Sequence, residues 1–414
     1  MDETIFRNSG RPSRARVYSG AVTPNATVPR LRLSRMIPRD PTQPHRAASS
    51  LELFFDLVFV VAVSTASAQL HHALSGGHFV HGITSYAMLF FAIWWAWMNF
   101  SWFATAFDTD DWLYRVTTIV QMGGVLVFAA GIPAAFEHGD FLLCVIGYVV
   151  MRVAMVAQWL RASRSAGRLR AATLRYAFGI AAVQVLWILF LLIPEGEAQL
   201  IAFVVLALLE ISVPVFAEHK QQTPWHPHHI TERYGLFTLI VLGESLLASA
   251  NAIIEALHEA ESFVPFISIS VLTLVVTASL WWIYFWPPHH RAIVSFRSSL
   301  GYGYTHYLVF AAAAAFSAGI EVELDVLTGK SELSSMTASF TVTIPIAVFL
   351  ICVWMVAIRR NADRVVNTVV PLGAVLVLLD PVLPIPVALT ALIMVIVVIV
   401  LVVRPPVGEK TASA

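Results

Sequence analysis

Two carboxylates, Glu52 and Asp56, stand four residues apart in LELFFDLVFVVAVS, at the head of an apolar run. On a helix that spacing puts both on one face, about 6 Å apart along the axis. An acid in hydrocarbon costs a few kcal/mol, so it persists where it pairs, meets water or acts. Glu52 could rest at the interface, where the positive end of a helix favours an acid. Asp56 is more than one turn deeper and is expected to face protein or water. Glu232 and Glu244 repeat the theme, twelve residues apart, or roughly 18 Å of helical rise. Glu244 then falls near mid-membrane, where an unpaired acid is neutral or holds a cation. Arg152, inside GYVVMRVAMVAQWL, is the expected counter-charge for one of these acids. It would serve either a packing ion pair or a proton or cation relay. Glu210 and His306 are further candidates, and histidine changes charge nearest neutral pH.

Other chemistry is thinner. Asp108, Asp110 and Asp111 form an acidic loop that could hold a divalent metal at a membrane surface or simply be solvated. No HExxH, Walker lysine loop or GxSxG elbow occurs, so the chain is not read as an enzyme, and no cofactor or metal is assigned. The two cysteines, Cys144 and Cys352, lie in apolar runs and read as small buried residues, and their count and spacing exclude a disulfide framework or a CxxC site. The clusters around Trp94, Trp95, Trp97 and Trp102, and around Trp281, Trp282 and Trp286, read as an aromatic belt. A ligand cage is the rarer use.

The elements that must position these side chains are membrane helices. Of 414 residues, 58% are hydrophobic and 13% charged, and mean hydropathy is +0.74. Soluble domains carry about 25% charged residues. A formal charge of zero gives nucleic acid no general attraction. A crossing helix needs about 20 apolar residues, which predicts twelve spans. They lie near 51–72, 80–105, 115–136, 141–160, 173–193, 198–217, 232–254, 264–286, 300–320, 337–358, 364–380 and 384–403, the eleventh being the shortest. Basic loops (Arg161 to Arg175, His289 to Arg297, Arg359 to Arg364) alternate with acidic ones (Glu137 and Asp140, Glu195 and Glu197, Glu255 to Glu261, Glu321 to Asp325) through most of the chain, the exception being the loop of Asp108, Asp110 and Asp111, which is acidic yet on the expected inner side. The positive-inside rule therefore predicts cytoplasmic N and C termini. Residues 1–47 carry nine Arg and read as a disordered cytoplasmic arm with the option of anionic lipid contact. Residues 405–414 form a short tail.

The second half echoes the first. LELFF at Leu51 and TERYG at Thr231 lie 180 residues apart; WWAWMNF at Trp94 and WWIYFW at Trp281, 187; and LVFAA at Leu126 and Leu308, 182. Three matches in order predict two parallel six-helix repeats, 48–217 and 218–404. At offset 180, Glu52 maps to Glu232 and Ser64 to Glu244.

LELFFDLVFVVAVS, ERYGLFTLIVLGESLL, the Arg within the fourth span and THYLVFAAAAAFSAGIE resemble the bacterial low-temperature-requirement A (LtrA) family over roughly residues 45–405. The resemblance implies a multi-pass protein of the bacterial inner membrane and leaves the chemistry open. FFDLVF also resembles the first helix of a potassium channel family of twofold six-helix design, although Phe55 stands in place of its Ser and its preceding Arg is missing. The expectation is an all-α integral membrane protein that moves a proton, small cation or small solute. Its polar core would be Glu52, Asp56, Arg152, Glu232 and Glu244. The bilayer is its surround, and a homo-oligomer is open. The alternatives are a non-transporting scaffold or sensor using the loops and arm, and a lipid enzyme built on the acidic loop.

Overall fold

In hydrocarbon every backbone N–H and C=O must be paired within the chain, and a helix does so segment by segment. The computed structural model follows that rule. It describes residues 33–43, 46–259, 264–382 and 388–407, and among these residues it contains twelve α-helices and no strand. The first six are α1 (Ser50–Ser75), α2 (Phe79–Phe107), α3 (Trp112–His138), α4 (Leu142–Ser163), α5 (Arg170–Phe190) and α6 (Glu197–Glu218). The second six are α7 (Pro227–Glu259), α8 (Val264–Phe285), α9 (Phe296–Leu327), α10 (Ser335–Val353), α11 (Arg364–Leu379) and α12 (Ala388–Val403). Ten helices among the described residues are long and apolar enough to cross a bilayer. The two others are α7, with 33 residues, and α12, with 16. The shortest expected span, the eleventh, thus qualifies, and the twelfth is the short one.

Helix starts follow local chemistry. Ser49 caps α1 in a capping box with Glu52, Asp111 caps α3, and Asp363 caps α11. Within the first six, α1 packs on α2 and α3, then α3 on α4, α4 on α5 and α5 on α6. Among the second six, α7 packs on α8 and α9, then α9 on α10, α10 on α11 and α11 on α12. The two sets meet where α1 contacts α7 and α9, and where α2 contacts the same two helices.

Small residues allow the tightest approaches, as between membrane helices generally. A Cβ on Gly147 of α4 would lie 2.4 Å from the Phe128 nitrogen of α3, and one on Gly319 of α9 would lie 2.4 Å from the Thr341 oxygen of α10. Trp94, Trp95 and Trp97 are buried, which corrects the belt reading for them. Trp281 and Trp282 face outward, as a belt residue does.

Candidate functional site

The first polar cluster joins α1 to α7. Glu52 and Asp56 occupy one buried face of α1, and His229 and Arg233 present the same four-residue spacing from α7. Arg233 lies 3.0 Å from Glu52 and 2.5 Å from Asp56, and His229 Nε2 lies 3.1 Å from Glu52. The Trp97 indole N–H of α2 donates to Asp56 at 2.7 Å. The second Glu52 oxygen accepts the Ser49 N–H at 2.8 Å. All four ionisable residues are at most 1% exposed, so the group is closed to water.

A second cluster lies inside the first six helices. Glu210 of α6 accepts from Arg152 at 3.1 Å, from Trp95 at 2.7 Å, and from Tyr148 and Trp187 at 3.2 Å each. Arg152 also donates to the Tyr148 hydroxyl. Trp95 and Trp97 sit two residues apart on α2, so they point roughly 200° apart around its axis. That helix is the wall between the clusters.

A third cluster ties α1 to α9. His71 lies 3.1 Å from Glu321 through Nδ1 and 2.6 Å from Asp325 through Nε2. Both ring nitrogens face carboxylates, an arrangement that a doubly protonated ring satisfies. The Ser75 hydroxyl donates to Asp325 at 2.6 Å, and the Ser331 hydroxyl donates to the Ser75 carbonyl at 2.8 Å. Between the first and third clusters Glu244 is half-buried on α7 and hydrogen-bonds Ser64 of α1.

These placements revise the expected polar core. Arg152 does not join Glu52, Asp56 or Glu244; its partner is Glu210, reached across the first bundle. Glu232 is exposed, and the next residue, Arg233, takes the buried position. The cause is rotational: one residue turns a helix by about 100°, and the buried stripe of α7 runs through His229, Arg233, Phe237 and Val241. Arg233 and His229 escaped the sequence reading, although their i,i+4 basic doublet complements the acidic doublet on α1. His306 is a hydrogen-bonded packing residue. Its Nδ1–H donates to the Tyr302 carbonyl at 2.7 Å, and its Nε2 accepts from Tyr284 at 3.0 Å.

The acidic loop is tied down by arginines. Asp108 pairs with Arg39 at 3.3 Å, Asp110 with Arg115 at 2.8 Å, and Asp111 with Arg161. Burial raises the Asp108 carboxyl. Asp111 sits below the usual range: burial pushes it up, but donors from Arg161, Tyr114 and Ser34 outweigh that. Among the described residues no group of three or more His, Cys, Asp or Glu could hold a metal. The same loop anchors part of the N-terminal arm. Ser34 N–H donates to Asp111 at 2.9 Å, Arg39 N–H donates to the Ala106 carbonyl at 2.9 Å, and Met36 is buried. Arg46 caps α2 by donating to the Ala104 carbonyl at 2.7 Å and to that of Thr105. Residues 33–43 therefore form a docked strap, where the whole arm was expected to be disordered. Residues 1–32, most of the C-terminal tail and Glu261 lie outside the described residues.

The chain is 31% identical over 255 residues to an uncharacterized protein of Rhizobium meliloti (strain 1021). The match covers 59% of this chain and 60% of that relative. Residues 47–403 match the family of the bacterial low temperature requirement A protein. That stretch holds all three clusters and every helix that supplies them, and the chain belongs to the bacterial low temperature requirement A (LtrA) family.

Proposed function

We propose that this protein is a gated carrier of a proton or small cation, working along the seam where α1 meets α7 and α9. One arrangement carries the reading: a charge latch at each end of that seam, with Glu244 between them. The inner latch holds Glu52 and Asp56 to His229 and Arg233; the outer holds His71 to Glu321 and Asp325. From Glu52 to His71 is nineteen residues of α1, about 28 Å of rise, close to the hydrocarbon thickness of a bilayer. A buried ion pair gains little net free energy over its hydrated halves, yet breaking it one-sidedly costs several kcal/mol. Such a pair suits a gate that is either closed or fully wet.

The halves act as duplicated six-helix units on this reading. Supporting it, α1, α7 and α9 run the same way with matched levels: Asp56 beside Arg233, Ser64 beside Glu244, Ser67 beside Ala314. Ser64 and Glu244 are also the positions equated by the 180-residue offset. On this reading the N-terminal side and the basic loops face the cytoplasm at a bacterial inner membrane.

The test is flux in proteoliposomes under an imposed pH, potassium or sodium gradient. The parent should dissipate at least one gradient, and Glu244→Gln should slow that at least tenfold while keeping its elution profile. No flux under any of the three, or unchanged flux in Glu244→Gln, overturns the carrier. The docked strap favours a second reading, a non-transporting scaffold or sensor. It expects no flux, a phenotype lost on removing residues 1–47, and a silent Glu244→Gln. The lipid-enzyme alternative lacks support, since an arginine holds each aspartate of the acidic loop.

A further inference from the structure

A cavity of about 40 Å³ lies among α2, α4, α5, α6, the segment before α7 and the start of α9. At about one probe sphere of 10–15 Å³ per water it has room for roughly three waters, or a ligand of three or four heavy atoms. Its walls are aromatic: Trp95, Trp102, Trp159, Tyr176 and Trp225. Trp159 and Tyr176 stack with centroids 4.2 Å apart, and Trp102 meets Trp225 at 63° to make a corner.

The acid in this lining is Glu218. It is 5% exposed. The Tyr176 hydroxyl donates to it at 2.9 Å, the Thr223 hydroxyl at 2.5 Å and the Thr223 N–H at 3.3 Å. All three donors are neutral, and among the described residues no basic side chain pairs with it. Arg175 donates instead to the Ala217 carbonyl at 3.1 Å. Glu218 is also the last residue of α6, the negative end of the helix, where a carboxylate is disfavoured and a cation welcome. A desolvated acid either keeps its proton or, once ionised, needs a positive partner, and indole rings attract cations through their quadrupoles.

We propose that this cavity binds a compact ammonium ion, of the ammonium or methylammonium class, with Glu218 as counter-ion and the tryptophans as walls. The lining touches α9 only at its start, through Phe296, Ser299 and Leu300, and includes none of the ionisable residues of the α1–α7–α9 seam. The site does not depend on the carrier reading.

The experiment is equilibrium dialysis of radiolabelled methylammonium against the full-length protein in nanodiscs at constant ionic strength. Saturable binding of about one ion per chain is expected, weakened at least tenfold in Glu218→Gln and several-fold in Trp225→Leu, and retained in Trp225→Phe. Should Glu218→Gln fail to fold, the two Trp225 variants decide. Non-saturable binding overturns the proposal, as does affinity unchanged in Glu218→Gln or equal in Trp225→Leu and Trp225→Phe.

Discussion

Arg233 holds two carboxylates at once, so its removal does more than delete a contact. Arg233→Gln would leave Glu52 and Asp56 buried without their cation, which costs about 3–5 kcal/mol. Thermal unfolding in detergent should show that loss, and adding Asp56→Asn and Glu52→Gln should recover most of it. His289 makes a pH prediction outside the spans. Its ring is buried between the Tyr284 carbonyl and the Tyr302 hydroxyl, and burial pushes it down to about 4. The unfolded value is near 6.5. Its stabilising contribution is therefore complete above pH 6.5 and declines as pH falls toward 4, by about 1 kcal/mol at pH 5.5. Comparing unfolding at pH 7.5 and 5.5 should give a smaller difference for His289→Gln than for the parent. At this scale the sequence exposed the acids Glu52, Asp56 and Glu210, because charge in an apolar run stands out. It hid Arg233 and His229 behind the neighbouring Glu232, because the choice between adjacent positions depends on helix rotation.

Helices were the most legible elements. Runs of about 20 apolar residues have one backbone solution in lipid, and the starts of α1 and α3 are marked by Ser49 and Asp111. Which helices approach closely was less visible, since Gly147 and Gly123 look alike in the sequence. A Cβ on Gly147 would strike α3 backbone, whereas one on Gly123 meets nothing within 4 Å. Gly147→Ala should destabilise the protein by about 1–3 kcal/mol through overpacking. Gly123→Ala should be neutral or slightly stabilising, as expected for Ala over Gly in a helix. Thermal unfolding of the pair reads this directly. The strap was the least legible element, because its composition suits disorder and its order comes from distant anchors at Asp108, Asp111 and the end of α2.

For the whole molecule the matter is how two six-helix sets share one seam. On the proposed duplication, both sets insert the same way up, with the basic loops on one side. Single cysteines placed at Arg164, Arg297 and Arg360 should therefore react with an impermeant maleimide from one face. Those at Glu137, Glu195 and Lys330 should react from the other. The native Cys144 and Cys352 are buried and should stay silent. Labelling of any two adjacent loops from the same face would break the topology. The seam itself was not legible, since contacts such as Asp56 to Arg233 join residues 177 apart.

The order of residues alone determined that this chain lives in a bilayer, roughly where its helices lie, which loops are basic and which family it resembles. The resemblance rests on particular motifs, and the other properties depend on composition and period, which are local. Only the tertiary structure decided that Arg152 answers Glu210, that Arg233 answers Glu52 and Asp56, and that Trp95 and Trp97 turn the two groups away from each other. The reason is physical: a charge inside a membrane is stabilised by whatever group packing brings within about 3 Å. That choice is made by the rotation and neighbours of whole helices.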